Sequence, residues 1–373
     1  MRSTDVRGDG GARLRVLIAG GGTGGHVIPA LAIARELRDA AGADTEVRFV
    51  GTARGLETRL VPEAGFPLEL IHVGQLKNVS IATRLRTLMD LPLGVGRCLS
   101  LLRSFRPDVV VGVGGYASGP AMMAAILLRV PTLAFEPNAV PGLANRLVGK
   151  LVTAAAVNFE QTRSYFHQAQ VTGTPVRPEF FAIGKRLPDG RKRLLVFGAS
   201  QGARVFNELM PKIMERLLNA FPTLDVVHQT GRRHGESTLA IYRSAGVGFD
   251  RVNVTPYLDD MAAQFAAADL ILCRSGASTI AELAAAGRAS ILVPFPQAAD
   301  DHQRKNADAF VAAGAAEMIV EVELNEERLL RALQQLLADD SRRQEMGEQA
   351  RALAHPAAVK VIGEMVLRLA NRA

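Results

Sequence analysis

The sequence predicts an α/β protein made of two Rossmann-like domains whose parallel sheets face an interdomain cleft. Three observations carry this. The 373 residues are ample for two ordinary cores and long for one. Short β-branched runs alternate with helical patterns along almost the whole chain, which is how parallel strands with crossover helices read. One plan also occurs twice: Leu14–Gly20 leads into Gly21-Gly-Thr-Gly-Gly-His26, and Arg193–Gly198 leads into Ala199-Ser-Gln-Gly-Ala-Arg204. Each is an apolar strand, a turn of small residues and then a helix.

Taken in order, the first-half strands are expected at Arg15–Ala19, Glu46–Val50, Leu68–Ile71, Asp108–Val113, Thr132–Phe135 and Val152–Val157. The second-half strands are expected at Arg193–Phe197, Leu224–His228, Val252–Thr255, Leu270–Cys273, Ser290–Val293 and Glu317–Val320. Helical periodicity covers Pro29–Ala40, Gln201–Ala220, Ser278–Ala286 and Glu326–Ala338. The Gly/Pro-rich run Thr172-Gly-Thr-Pro-Val-Arg-Pro178 reads as the crossover. That divides the chain into a flexible tail over residues 1–13, an N-terminal domain over 14–176 and a C-terminal domain over 177–373. The helices after Arg342 could pack back on the first domain.

Hydrophobic residues make up 48% and charged residues 22%, a globular composition. Cys98 and Cys273 stand far apart, which excludes a disulfide scaffold and a four-thiolate zinc site and suits a reducing compartment. The apolar run Val16–Ala19 is too short for a signal segment, and no run approaches the ~20 residues of a membrane span. The expectation is a protein that lies free or rests on a membrane without crossing it. Of the net charge of +7, most gathers between Leu76 and Arg106, where Lys77, Arg84, Arg86, Arg97, Arg103 and Arg106 face only Asp90. Such asymmetry points to a polyanionic partner, nucleic acid or an anionic membrane surface. With 5% aromatic residues, no Trp and no aromatic-basic platform, nucleic acid is not expected.

The loop Gly20–His26 lets backbone approach a ligand closely, and the helix behind it offers unpaired N–H groups and a partial positive charge. Thr23, Gly24 and Gly25 sit at that entrance. It is neither a P-loop, because no Lys-Ser/Thr pair follows, nor a dinucleotide fingerprint, because the second strand ends Phe49-Val50-Gly51 without an acid. His26 suits a general base and equally a capping contact. The second loop supplies Ser200 and backbone donors ahead of Arg204.

Cys273-Arg-Ser-Gly-Ala-Ser-Thr-Ile-Ala-Glu282 follows a strand and opens a helix with small, capping-type residues, so its amides suit phosphates. Glu282 lies one turn beyond Ser278 on the same face, placed to accept from two ribose hydroxyls. Asp301, His302 and Gln303 follow another strand and can reach a sugar. Adjacent Asp300, Asp301 and His302 make a poor metal cage, and no Asp-x-Asp pair exists, so neither metal nor cofactor is expected. Tyr116, Glu136 and Asn138, in the loops Gly112–Gly119 and Phe135–Gly142, are candidates for acceptor contacts.

In order along the chain, GGGTGGHVIPALAIA, GTARGLE, DVVVGVGGYASGPAMMAA, FEPNAVPGLANR, VTGTPVR, GASQGARVFN, YLDDM, CRSGASTIAELAAAG and PFPQAADDHQRKNA resemble the MurG family of bacterial glycosyltransferases. The resemblance covers nearly everything after residue 13. It implies a glycosyltransferase-B fold and inverting transfer of N-acetylglucosamine from UDP-N-acetylglucosamine to the C4 hydroxyl of the muramoyl unit of lipid I, giving lipid II, in peptidoglycan synthesis. Thr23, Gly24, Gly25, Asn138, Arg177, Ser200, Leu258, Ala277, Ser278, Thr279, Ile280, Ala281, Glu282 and Gln303 are then the donor contacts, with backbone near Leu258 meeting the uracil.

On this implication His26 is the base, and Arg177 with backbone dipoles stabilises the departing diphosphate. The lipid acceptor accounts for the basic stretch: Ile81, Leu85, Leu88, Met89 and Leu93 beside Arg84, Arg86 and Arg97 read as a helix resting peripherally on the cytoplasmic face of the plasma membrane. Two departures from the family pattern are Pro137, where Gln is frequent, and Ala199, where Gly is common. A UDP-N-acetylglucosamine 2-epimerase, with the same fold and donor, is the alternative; it would need more ionisable groups at the sugar and no lipid-facing surface.

Overall fold

The computed structural model describes residues 13–42, 45–73, 81–187, 189–199 and 201–371, and only the backbone of residues 81–91. Ser200, Lys77, nearly all of the expected tail, and the side chains of Ile81, Arg84, Leu85, Arg86, Leu88 and Met89 lie outside the described residues.

Two parallel sheets form. The first comprises β1 (Arg15–Ala19), β2 (Glu46–Gly51), β3 (Leu68–Leu70), β4 (Val109–Gly112), β5 (Thr132–Glu136), β6 (Ala154–Val157) and β7 (Ala169–Val171), in the order β3-β2-β1-β4-β5-β6-β7. The second comprises β8 (Lys192–Phe197), β9 (Leu224–Gln229), β10 (Val252–Thr255), β11 (Leu270–Cys273), β12 (Ser290–Leu292) and β13 (Ala316–Met318), in the order β10-β9-β8-β11-β12-β13. Val16–Ala19 and Val109–Val111 are fully buried, which is why these central strands read as unbroken apolar runs rather than as alternation.

The sequence anticipated twelve of these strands and missed β7, whose Ala169-Gln-Val is too short and too exposed to leave a pattern. The first helix starts at Gly24, five residues ahead of Pro29, where the helical periodicity begins. Pro29 instead lies inside the helix and gives up one backbone bond there. The last helix, Ala358–Ala370, buries Ile362, Met365, Val366 and Leu369 in the first domain's core beside Val27, Ile33 and Leu37. The chain thus returns to the lobe where it began.

In both sheets the order reverses beside the first strand, between β1 and β4 and between β8 and β11. Open parallel sheets bind ligands at the carboxyl ends of strands at such switch points. The glycine-rich loops fall there.

Candidate active site between the two lobes

The loop after β1 is shaped by a residue on a different segment. Glu57, only 1% exposed, directs its carboxylate into the loop: Oε2 accepts from the Gly22 N–H at 2.7 Å, and Oε1 accepts from the N–H and the hydroxyl of Thr52, both at 3.0 Å. A side chain at Gly21 would overlap that carboxylate, with a Cβ only 2.3 Å from it. The Gly22 amide is therefore engaged within the protein. The open amides for a ligand are those of Gly24 and Gly25, at the unpaired end of the helix Gly24–Ala41. Thr23 is the N-cap, yet its hydroxyl caps nothing and stands exposed at the entrance. Ordinarily a capping Thr turns inward.

His26 is half-buried, and its Nδ1 lies 3.2 Å from the Gly21 carbonyl. A carbonyl only accepts, so Nδ1 carries the proton and Nε2 keeps its lone pair. The ring edge lies against Gly114, whose φ of +89° and missing side chain leave it room: a Cβ there would come within 3.1 Å of Nε2. Burial holds the imidazole below its usual pKa, the Gly21 bond opposes this, His302 lowers it further and Glu57 raises it.

The loop after β5 is organised by Glu136, 2% exposed. Its Oε1 accepts the N–H and the side-chain amide of Asn138 at 3.0 Å, and its Oε2 accepts from Gly142 N at 3.0 Å and Asn145 Nδ2 at 2.9 Å. Burial raises its pKa and these donors pull it back. Both oxygens are occupied inside the loop, so Glu136 holds Asn138 in place rather than facing the cleft. Tyr116 is 38% exposed at the tip of the neighbouring loop.

In the second lobe, the helix Ala277–Ala286 begins after Gly276 with no side-chain cap, leaving its first amides open. Ser278 Oγ is buried there with no hydrogen-bond partner. It faces the other lobe: a Cβ placed on Gly25 would stand 3.8 Å from it. The two helix entrances thus converge across the cleft. Ala277 and Ile280 pack inward, which leaves their backbone for any ligand, while Thr279 is 8% exposed and Ala281 part-buried.

Glu282, one turn on, is part-buried and its carboxyl is pushed up to about 7 by burial, with the Arg177 charge opposing and Glu179 reinforcing. Arg177 itself is exposed and 3.3 Å from Glu179. Gln303 is anchored at both ends, its carbonyl accepting from Ser275 Oγ at 2.8 Å and its Oε1 from Phe295 N at 3.0 Å. Leu258 is part-buried after β10, packed beside the core that contains Phe265.

Two residues that sequence reasoning did not single out shape this site. Glu57 closes the motif GTARGLE, and Asn306 is the next-to-last residue of PFPQAADDHQRKNA; the motifs drew attention to the segments, not to these side chains. Asn306, fully buried, donates to Asn138 Oδ1 and to the Ser275 carbonyl, both at 3.2 Å, and so links the lobes. A peripheral pair, Arg146 and Asp300 at 3.3 Å, also crosses.

Two facing α/β lobes, with uncapped helix ends and a buried serine hydroxyl turned to the gap, make up the glycosyltransferase-B fold. Residues 16–157 match the glycosyltransferase family 28 N-terminal domain and residues 193–362 the glycosyltransferase family 28 C-terminal domain. The chain belongs to glycosyltransferase family 28.

It is 44% identical over 96% of its length, and 94% of the relative's, to the UDP-N-acetylglucosamine--N-acetylmuramyl-(pentapeptide) pyrophosphoryl-undecaprenol N-acetylglucosamine transferase of Anaeromyxobacter dehalogenans (strain 2CP-1 / ATCC BAA-258). The crystal structure of MurG from Acinetobacter baumannii superimposes with a TM-score of 0.78 at 30% identity, covering 95% of this chain and 99% of that one. A UDP-N-acetylglucosamine 2-epimerase structure shares the fold at a TM-score of 0.67, with 16% identity over 97% of each chain.

Proposed function

We propose that the protein transfers N-acetylglucosamine, with inversion, from UDP-N-acetylglucosamine to the C4 hydroxyl of the muramoyl unit of undecaprenyl-pyrophosphoryl-N-acetylmuramoyl-pentapeptide, a step of peptidoglycan synthesis. The names of its relatives support the substrates. The observation that carries the site is the unpartnered, buried Ser278 Oγ at an open helix end, opposite Gly25. A buried hydroxyl without a partner is costly, and a phosphate oxygen would satisfy it.

In this reading the diphosphate sits on the amides that begin Ala277–Ala286, with Ser278 and Thr279, while Glu282 accepts the ribose hydroxyls and the backbone near Leu258 meets the uracil. Gln303, Asn138, Ser200 and the Thr23–Gly25 entrance complete the donor contacts. His26 Nε2 takes the proton of the acceptor hydroxyl as that oxygen attacks the anomeric carbon, and UDP leaves from the opposite side. Arg177 and the helix end stabilise the negative charge gathering on the diphosphate. The 2-epimerase reading has only a fold-level likeness behind it.

The acceptor is lipid-linked, and the helix Ile81–Phe105 presents Leu93, 68% exposed, near exposed Arg97. Among the described residues no helix is long and apolar enough to cross a membrane. The proposed placement is peripheral, on the cytoplasmic face of the plasma membrane, through anionic headgroups. Incubation with radiolabelled UDP-N-acetylglucosamine and lipid I tests the reaction. Label in a lipid product is expected, whereas 2-epimerised UDP-sugar without lipid labelling would defeat the proposal.

A further inference from the structure

Glu57 and His26 meet the same peptide unit from opposite ends. Glu57 Oε2 accepts from the Gly22 N–H at 2.7 Å, and the Gly21 carbonyl accepts from His26 Nδ1–H at 3.2 Å. That N–H and that C=O belong to one planar amide, joined by resonance. A carboxylate on the N–H draws electron density towards the carbonyl oxygen, which then becomes a better acceptor for the imidazole. The local sequence is built around the carboxylate, because side chains at Gly21, Gly51 or Gly55 would place a Cβ 2.3, 2.6 or 1.8 Å from Glu57 atoms.

We infer that Glu57 is a positioning residue that acts on His26 through the Gly21–Gly22 peptide, as a carboxylate–peptide–imidazole relay. The inference rests on His26 being the base, and it adds the group that makes it one. No proton crosses the peptide. The acceptor hydroxyl proton moves to Nε2, Nδ1 keeps its own, and the carboxylate offsets the positive charge on the imidazolium. The titratable groups that act on His26 are Glu57, on its own lobe, and His302, from the facing lobe. Burial lowers the pKa of the ring most, the Gly21 bond opposes it, His302 lowers it further and the Glu57 charge favours the protonated ring.

The test follows His26 directly by NMR of histidine-labelled protein and, separately, the acid limb of the kcat/KM–pH profile, which reports the free enzyme's base. Glu57→Gln should lower the His26 titration midpoint by about half a pH unit or more, move the acid limb down with it and reduce plateau turnover about tenfold. Thr52→Val keeps the charge and removes a competing donor, so it should move the midpoint up; thermal melts report whether each variant is folded.

An unmoved midpoint in folded Glu57→Gln, or a downward shift in Thr52→Val, overturns the relay. Should Glu57→Gln fail to fold, Thr52→Val decides alone: an upward shift upholds the relay, and no shift sinks it. If the NMR midpoint moves in Glu57→Gln while the kinetic limb stays still, the relay stands and the assignment of His26 as base is what fails.

Discussion

Asn306 Oδ1 accepts the Ala139 N–H at 2.9 Å, a bond between a helix of the second lobe and a loop of the first. The side chain is fully buried and its amide nitrogen is also engaged, so every polar atom of Asn306 has a partner. Buried, fully satisfied amides fix geometry because losing one partner leaves the others unpaired. Asn306→Ala should therefore loosen the lobes as well as destabilise the chain. The expected outcomes are a loss of about 1–3 kcal/mol in urea unfolding and a larger radius of gyration in solution scattering. An unchanged scattering profile would show that other contacts hold the lobes.

His26→Ala should cut transfer by about a hundredfold or more while UDP affinity stays within about threefold, because the proposed base would meet the acceptor and not the nucleotide. Steady-state rates with lipid I and calorimetric titration with UDP make the comparison. Turnover within threefold of the parent would remove His26 from the mechanism.

Glu282 makes a pH prediction whose sign is fixed by its raised pKa. The folded protein holds that proton more tightly than the unfolded chain, so this residue's contribution to stability falls as pH rises from the usual 4.5 through about 7. Glu282→Gln removes the penalty. Its melting temperature relative to the parent should be higher at pH 8 than at pH 5, as measured by calorimetry. Under the proposed ribose contact the ionised carboxylate is the accepting form, so UDP binding at pH 6 should also release a proton, detectable as a dependence of the binding enthalpy on buffer.

Ala199 adopts φ of +59° at an exposed position in the loop after β8. Left-handed backbone costs an L-residue about 1 kcal/mol, and glycine avoids it, at some entropic cost of its own. Ala199→Gly is expected to stabilise the protein by about 0.5 kcal/mol in urea denaturation. A destabilised variant would mean that the methyl group packs usefully.

Leu93→Asp should lower partition onto vesicles containing phosphatidylglycerol about fivefold or more, by removing an apolar contact and adding repulsion. Arg97→Glu should do the same and abolish the salt dependence at that site. Sedimentation with neutral vesicles as control distinguishes the two contributions. Equal binding of parent and both variants would remove this helix from the proposed membrane contact.

The order of strands and helices was legible along the chain, because buried parallel strands and amphipathic helices leave periodicities that need no partner to be read. The glycine loops were legible for a similar local reason: residues without side chains mark where backbone must turn sharply or come close to something. Gly114, beside His26, is such a place. The expected helix began too late, at Pro29, because the glycines and His26 ahead of it carry no apolar periodicity to mark the first turn.

What the glycines approach was not legible. Gly22 meets Glu57 from 35 residues away, and Ala139 meets Asn306 from 167 residues away. Nor could the motif around Glu136 show that both carboxylate oxygens turn inward onto their own loop. The sequence by itself determined two α/β units, the glycine-rich entrances and the family to which they belong. The tertiary structure alone decided which buried carboxylate shapes the first entrance and which amide closes one lobe on the other. The reason is physical: periodicity and turn chemistry act over a few neighbouring residues, whereas a buried polar group is defined by whichever distant donors the fold brings to it.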